Sequence, residues 1–377
     1  MGATTQDKGI TPIVMPKWGL SMKEGTINDW LVAEGDAIAV GMPILDVETD
    51  KIANAVEASD AGILRRKVAA VGDVLPVKAL LGVLASPEVS DAEIDAYVAG
   101  YEMPSTDEDE ADEAASAYQY ADVDGIRVRY AKKGVGGAPV LFLHGFGGDL
   151  DNWLFNLDAL AEGHAVYALD LPAHGQSTPR LPGTTLAALA AFVARFMDAA
   201  GLEAAHVVGH SMGGGVAAQL ALDAPGRVLS LALISPAGLG EEVNQGYTAG
   251  FVAAQSRREL KPVVEQLFAD PALVSRQMLD DLLRYKRLDG VGEALAALDA
   301  GLFAGGRQQE RPGLRLAGAG PARVLVIWGA QDRIIPAEHA GNAPAGATVK
   351  VFADAGHMSQ MEKAAEVNAL LRQHVAG

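Results

Sequence analysis

The chain predicts a multidomain fold: an all-β module, an acidic linker and an α/β domain with a helical cap. Three observations carry this prediction. The first 85 residues hold an internal repeat with strand-like alternation of apolar residues. The next stretch is acidic and contains no Lys or Arg. The remainder alternates unbroken apolar runs with helical periodicity. With 377 residues, 49% of them hydrophobic and 21% charged, the chain has material for more than one core.

The repeat has an offset of 37 residues: Gly25 matches Gly62, Ile27 matches Leu64, Gly35-Asp36 matches Gly72-Asp73, and Val40 matches Val77. Alternating apolar positions read as strands, and the paired glycines as turns or bulges. Two copies are too few for a solenoid. They predict two small sheets packed with quasi-two-fold symmetry over residues 11–85. Between the copies lies Glu48-Thr49-Asp50-Lys51-Ile52-Ala53. A single Lys in a turn is ordinarily just a solvated side chain. At the centre of a symmetric β module, however, a hairpin tip would hold the Lys51 amine clear of the body, open to an enzyme that grips the turn.

Residues 86–119 carry 11 Asp and Glu out of a chain whose net charge is −18. Asp107-Glu108-Asp109-Glu110 and its neighbours have no apolar surface to bury and repel one another, which predicts a flexible linker. A short helix at 90–101 is the exception. Ser90 and Glu93 fit a capping box, and Ile94, Tyr97, Val98 and Tyr101 share one helical face. That face suits packing on a neighbouring domain or docking of a partner.

From residue 120 to 377 the pattern changes. Val140-Leu141-Phe142-Leu143, Ala165–Leu169, Val207-Val208, Leu229–Ile234 and Val324–Trp328 are apolar without alternation, as strands covered on both faces of a parallel sheet are. Leu186, Leu189, Phe192, Val193 and Phe196 form a helical stripe. Residues about 240–312 interrupt the alternation and read as helices inserted as a cap over the C-terminal edge of the sheet.

Within this domain Gly209-His210-Ser211-Met212-Gly213 matches G-x-S-x-G, after a buried strand and before a small-residue helix. A strand–turn–helix setting would project Ser211 Oγ at the top of the sheet, beside a helix N-terminus. A serine needs a base. His357 follows the strand-like Thr348–Phe352, in a loop, and is the best candidate. A carboxylate at a strand end should lie between them in sequence, and Asp332, after Val324–Trp328, fits. Asp354 is its rival, only three residues before His357. Oxyanion donors would be the backbone N–H of Met212 and that of Phe146 in His144-Gly145-Phe146-Gly147-Gly148. His144 and His174 suit loop organisation. His206 and His210 sit in a strand and a turn, so they share no helical metal-binding face and no metal is expected.

Residues 11–85 resemble lipoyl domains, beginning at Met15-Pro16-Lys17-Trp18-Gly19 and most closely at Glu48-Thr49-Asp50-Lys51-Ile52. The resemblance implies a flattened β barrel with lipoate in amide linkage on Lys51. Related biotin carriers usually set their lysine between two methionines; here Asp50 and Ile52 flank it. The motifs around Ser211, Asp332, His357 and His144, with Asp170-Leu171-Pro172-Ala173-His174-Gly175-Gln176-Ser177, resemble α/β-hydrolase-fold proteins over nearly all of 120–377.

The fusion resembles the acyltransferase component of acetoin dehydrogenase complexes. That implies acetyl transfer from S-acetyldihydrolipoamide to coenzyme A as cosubstrate. It also implies a thiamine-diphosphate-dependent acetoin dehydrogenase component and a dihydrolipoamide dehydrogenase as partners. The chain departs from 2-oxo acid dehydrogenase acyltransferases: it has no H-x-x-x-D-G motif and no basic, glycine-rich subunit-binding segment. An esterase or thioesterase fused to a carrier, or a non-catalytic scaffold, are the alternative readings.

Composition narrows the rest. The absence of cysteine excludes disulfides, thiolate metal sites and a Cys nucleophile. An acidic chain makes nucleic acid an unsuitable partner. No apolar run approaches a membrane span, and the first residues lack the apolar core of a secretory signal. The expected location is the cytoplasm, away from membranes.

Overall fold

The computed structural model describes residues 9–18, 22–49, 53–103, 118–321 and 323–377. Lys51 lies outside the described residues. The chain divides into two compact units, within residues 1–114 and 115–377.

The first unit holds eight strands: β1 Ile10–Val14, β2 Glu24–Trp30, β3 Ala37–Ile38, β4 Pro43–Glu48, β5 Ala53–Glu57, β6 Gly62–Lys67, β7 Val74–Pro76 and β8 Leu80–Ala85. They form two four-stranded sheets, ordered β1-β8-β6-β3 and β5-β4-β2-β7. The repeat explains this pairing. Moving 37 residues along the chain carries β2, β3 and β4 onto β6, β7 and β8, so each sheet order maps onto the other.

The turns repeat too. Asp36 Oδ2 accepts the Ala33 N–H at 2.8 Å, and Asp73 Oδ2 accepts the Ala70 N–H at 2.8 Å. Each turn needs a left-handed residue, supplied by Gly35 (φ +96°) and Gly72 (φ +92°). Ile27, Leu45, Val47, Leu64 and Leu81 fill the space between the sheets, fully buried.

A helix, Asp91–Ala99, follows on the same unit. Ser90 Oγ accepts the Glu93 N–H, and Glu93 Oε2 accepts the Ser90 N–H at 3.0 Å, closing a capping box. Ile94 is fully buried against Ile10, Leu80, Val83 and Ala85. Arg65 pairs with Asp91 at 2.8 Å, Arg66 pairs with Asp95, and Tyr101 Oη donates to the Lys78 carbonyl at 2.9 Å. The described part of the acidic segment is thus bound down by the buried Ile94, by Val89, Tyr97, Val98 and Tyr101 packed beside it, and by these polar contacts.

The second unit is built on eight strands: β9 Tyr118–Val123, β10 Ile126–Lys133, β11 Val140–Leu143, β12 Val166–Leu169, β13 Ala205–His210, β14 Val228–Ile234, β15 Val324–Gly329 and β16 Thr348–Phe352. Their order is β16-β15-β14-β13-β11-β12-β10-β9. From β12 to β16 every neighbouring pair is parallel, and β10 joins β12 and β9 antiparallel. Strands β11, β12, β13 and β15 are buried along their whole length, which is why their sequences do not alternate.

The helix Leu186–Ala199 buries its Leu186, Leu189, Phe192, Val193 and Phe196 stripe. Between β14 and β15 the chain leaves the sheet and builds four helices, Gln245–Ala253, Arg257–Val264, Arg276–Lys286 and Val291–Leu302. Among the described residues no helix is long and apolar enough to cross a membrane.

Candidate active site

Strand β13 ends at His210 and the helix Met212–Asp223 starts two residues later, so Ser211 alone makes the turn. Its backbone is forced to φ +53°, ψ −120°, a region that a residue with a Cβ avoids. The surroundings hold it there. Ser211 N–H donates to the Ile234 carbonyl at 3.0 Å, and its own carbonyl accepts from Gly214, Gly215 and Ala237.

The flanking glycines are required by close approach. A Cβ on Gly209 would stand 2.4 Å from the Gly213 carbonyl oxygen, and one on Gly213 would stand 2.3 Å from that of Leu143. A side chain at Gly145 would meet Ser211 Cβ at 3.0 Å. The motif thus packs helix, strand and neighbouring loop against one serine.

His357 lies in the loop after β16, its N–H bound to the Leu267 carbonyl at 2.8 Å. Its Nδ1 stands 2.7 Å from Asp332 Oδ2, and both side chains are all but sealed from solvent. The same carboxylate accepts from Trp328 Nε1 at 3.0 Å and from the N–H groups of Ile334 and Ile335 at 2.8 and 3.0 Å. Four donors therefore fix Asp332 as an acceptor and orient the imidazole with Nε2 as its free nitrogen. Ser211 and His357 line one recess. Asp354 is not part of it: its carboxylate is exposed and pairs with Lys363 at 2.6 Å.

Met212 opens its helix, and Phe146 lies in the loop after β11. Among the described residues no acceptor takes the N–H of either, so both remain available to an oxyanion. Phe146 is held from the cap side. Its ring meets Phe251 and Phe303 edge-on with centroids 6.0 Å away, and its carbonyl accepts from Tyr247 Oη at 3.4 Å.

Three buried groups brace this loop. His144 Nε2 accepts the Leu171 N–H at 2.9 Å, so the proton sits on Nδ1, which donates to the Gly145 carbonyl at 2.8 Å. Burial pushes its pKa down to about 4. His174 is likewise buried, pushed down to about 3, and stacks on Tyr285 of the cap. Asp170 receives Arg129 at 2.7 Å and the N–H groups of Leu150 and Gln176. Burial drives its carboxyl pKa up, against the pull of Arg129.

Sequence reasoning missed two parts of the site. His210, a variable position in the motif, donates from Nε2 to the His357 carbonyl at 2.9 Å. Burial, and after it the neighbouring His357, hold it well below the usual histidine pKa, so it acts as a neutral strut. The other omission is the apolar wall. Phe251, Phe268, Met278, Leu282, Met358 and Met361 surround a recess with about 560 Å³ of empty volume. They come from two cap helices, the chain at Phe268 and the segment after His357, and only packing brings them to one recess.

The family model "alpha/beta hydrolase fold" matches residues 138–364, and "biotin-requiring enzyme", the biotin/lipoyl family, matches 11–84. The chain is 76% identical over 375 residues to the dihydrolipoyllysine-residue acetyltransferase component of the acetoin cleaving system of Cupriavidus necator, covering 100% of both chains. It is 50% identical to the component of the same name from Pseudomonas putida, over 97% of this chain and 99% of that one. A meta-cleavage product hydrolase from Pseudomonas fluorescens superposes with a TM-score of 0.62 at 24% identity, over 68% of this chain and 96% of that one, a likeness of fold. The chain belongs to the family of dihydrolipoyllysine-residue acetyltransferase components of acetoin cleaving systems, and its second unit carries that family's alpha/beta hydrolase fold.

Proposed function

We propose that the chain moves an acetyl group from a lipoyl thioester to coenzyme A, with Ser211 as nucleophile, His357 as base and Asp332 as its orienting partner. The observation that carries this reading is the buried Asp332–His357 pair at 2.7 Å, facing the recess that also holds the strained Ser211. His357 Nε2 takes the Ser211 proton as Oγ attacks the thioester carbonyl. The N–H groups of Met212 and Phe146 hold the oxyanion, each worth ~10²–10³ in rate. His357 returns the proton to the leaving thiolate. It then deprotonates the acceptor thiol, which attacks acetyl-Ser211, and hands that proton to the departing Ser211 Oγ, restoring the free serine and base. The apolar wall excludes water during this second step.

Lys51 is the proposed lipoate attachment point. Glu48 pairs with Ala53 across β4 and β5, the two strands on either side of Lys51 in sequence. When attached, lipoate supplies a dithiol that carries the acyl group as a thioester. The division into a carrier at 11–85, a tether at 86–119 and a catalytic body at 120–377 with its cap at about 240–312 belongs to this proposal. So do the thiamine-diphosphate-dependent dehydrogenase and dihydrolipoamide dehydrogenase partners, and a cytoplasmic location. Tethering makes the encounter between carrier and catalyst intramolecular, at a high effective concentration.

Intact mass after expression with lipoate, followed by proteolytic mapping, should place one lipoyl group on Lys51. Acetyl-dihydrolipoamide should yield acetyl-coenzyme A when the thiol is supplied. Acetate formed at one rate with and without coenzyme A would instead make the chain a hydrolase.

A further inference from the structure

We infer that the outer face of the cap helix Arg276–Lys286 binds the phosphates of the thiol acceptor; the inference rests on the acyl-transfer reading above. Met278 and Leu282 of this helix line the recess that holds Ser211. Asp280, Leu283, Arg284 and Arg287, on the adjoining face, line a separate surface groove closed on its other side by residues 255–258. One helix therefore parts the two cavities. An α-helix with its side chains is about 10–12 Å thick. Coenzyme A is built to the same plan, with a thiol at one end of a long pantetheine arm and a phosphorylated nucleotide at the other.

The groove has the charge such a ligand needs. Arg257 binds Asp280, with Nη2 2.6 Å from Oδ2, and Arg284 binds Asp281 at 2.6 Å. The Asp280 carboxyl is held below its usual pKa, first by the hydrogen bond from Arg257, with Arg276 and Arg284 adding to it. Arg258 and Arg287 are exposed and form no ion pair among the described residues. Glu259, beside Arg258, turns its carboxylate to the Gln255 N–H at 2.9 Å.

Four arginines, Arg257, Arg258, Arg284 and Arg287, thus line the groove with one carboxylate, Asp280, on a chain whose overall charge is −18. Guanidinium forks suit phosphate oxygens, and a local positive field on an acidic molecule draws an anionic substrate to this place.

The test compares coenzyme A with pantetheine, which keeps the thiol arm and lacks the nucleotide. The full chain and its Arg258→Ala/Arg287→Ala variant are assayed with free acetyl-dihydrolipoamide as donor. The variant should lower the ratio of kcat/KM for coenzyme A to that for pantetheine by at least about tenfold, through KM, as loss of charge-assisted contacts does. Arg258→Lys/Arg287→Lys should recover part of it. An unchanged ratio overturns the groove assignment and leaves acyl transfer standing. Wild-type chain that acetylates neither thiol overturns the acyl-transfer reading itself.

Discussion

At the scale of single residues, the site combines strain with rigidity. Ser211 sits at φ +53° because its neighbours permit nothing else. A non-glycine residue pays roughly 1–3 kcal/mol for so sparsely populated a backbone conformation. Ser211→Gly should therefore raise the stability of the second unit by about that amount in denaturant melts while acyl transfer falls by about 10⁴-fold or more. A variant that loses activity without gaining stability would show that the turn is unstrained. Asp332→Asn keeps the shape of the carboxylate and removes its charge. It allows the imidazole to turn its lone pair toward the new amide, so kcat should fall by about 10⁴-fold while the fold persists. Loss of only a few-fold would mean that Asp332 serves the loop through its Ile334 and Ile335 contacts rather than the base.

Elements explain how much of this could be read beforehand. The 37-residue repeat was legible because Gly35 and Gly72, with Asp36 and Asp73, make equivalent turns, and turn chemistry is local. Accordingly, Gly72→Ala should cost the first unit about 1–2 kcal/mol, read as a lower melting temperature for that unit alone. An unshifted melt would contradict the shared turn geometry. The pairing of β1 with β8 could not be read, since β1 falls outside the offset and finds its partner through the sheet, whereas β4 and β5 pair antiparallel as the expected hairpin requires.

The nucleophile turn, Asp332 and His357 were legible for a similar reason: each sits in the segment that follows a strand, where the chain must reverse. His210 and the recess wall were not, because they depend on which cap helix lies over which strand. That placement is decided by packing across long separations, as when Tyr285 reaches the Ala173 carbonyl at 2.7 Å. Nor did the sequence mark Arg129 and Asp170 as partners, although their buried pair anchors the loop beside the site.

For the whole molecule, pH is the most informative variable. His144 and His174 are fully buried, with pKa values pushed down to about 4 and about 3. Unfolding restores the ordinary value near 6.5. Below about pH 6.5 the unfolded chain therefore binds protons that the folded chain refuses, and stability falls with falling pH. Each such histidine contributes up to about 1.4 kcal/mol per pH unit through that window. Thermal melts from pH 7 to 4.5 should show the second unit destabilised progressively below pH 6.5, with little change above it. A flat profile would mean that these rings gain protons in the folded state.

The two units divide the labour in this account. On the proposed mechanism, the first presents a carried acyl group, and the second accepts it on a serine and passes it to a thiol. Rapid quenching of the full chain with acetyl-dihydrolipoamide in the absence of coenzyme A, followed by peptide mapping, examines that hand-over directly. One acetyl group is expected on the peptide bearing Ser211, discharged as acetyl-coenzyme A when the thiol is added. Turnover to acetyl-coenzyme A with no acetyl on Ser211 at any quench time would contradict this hand-over.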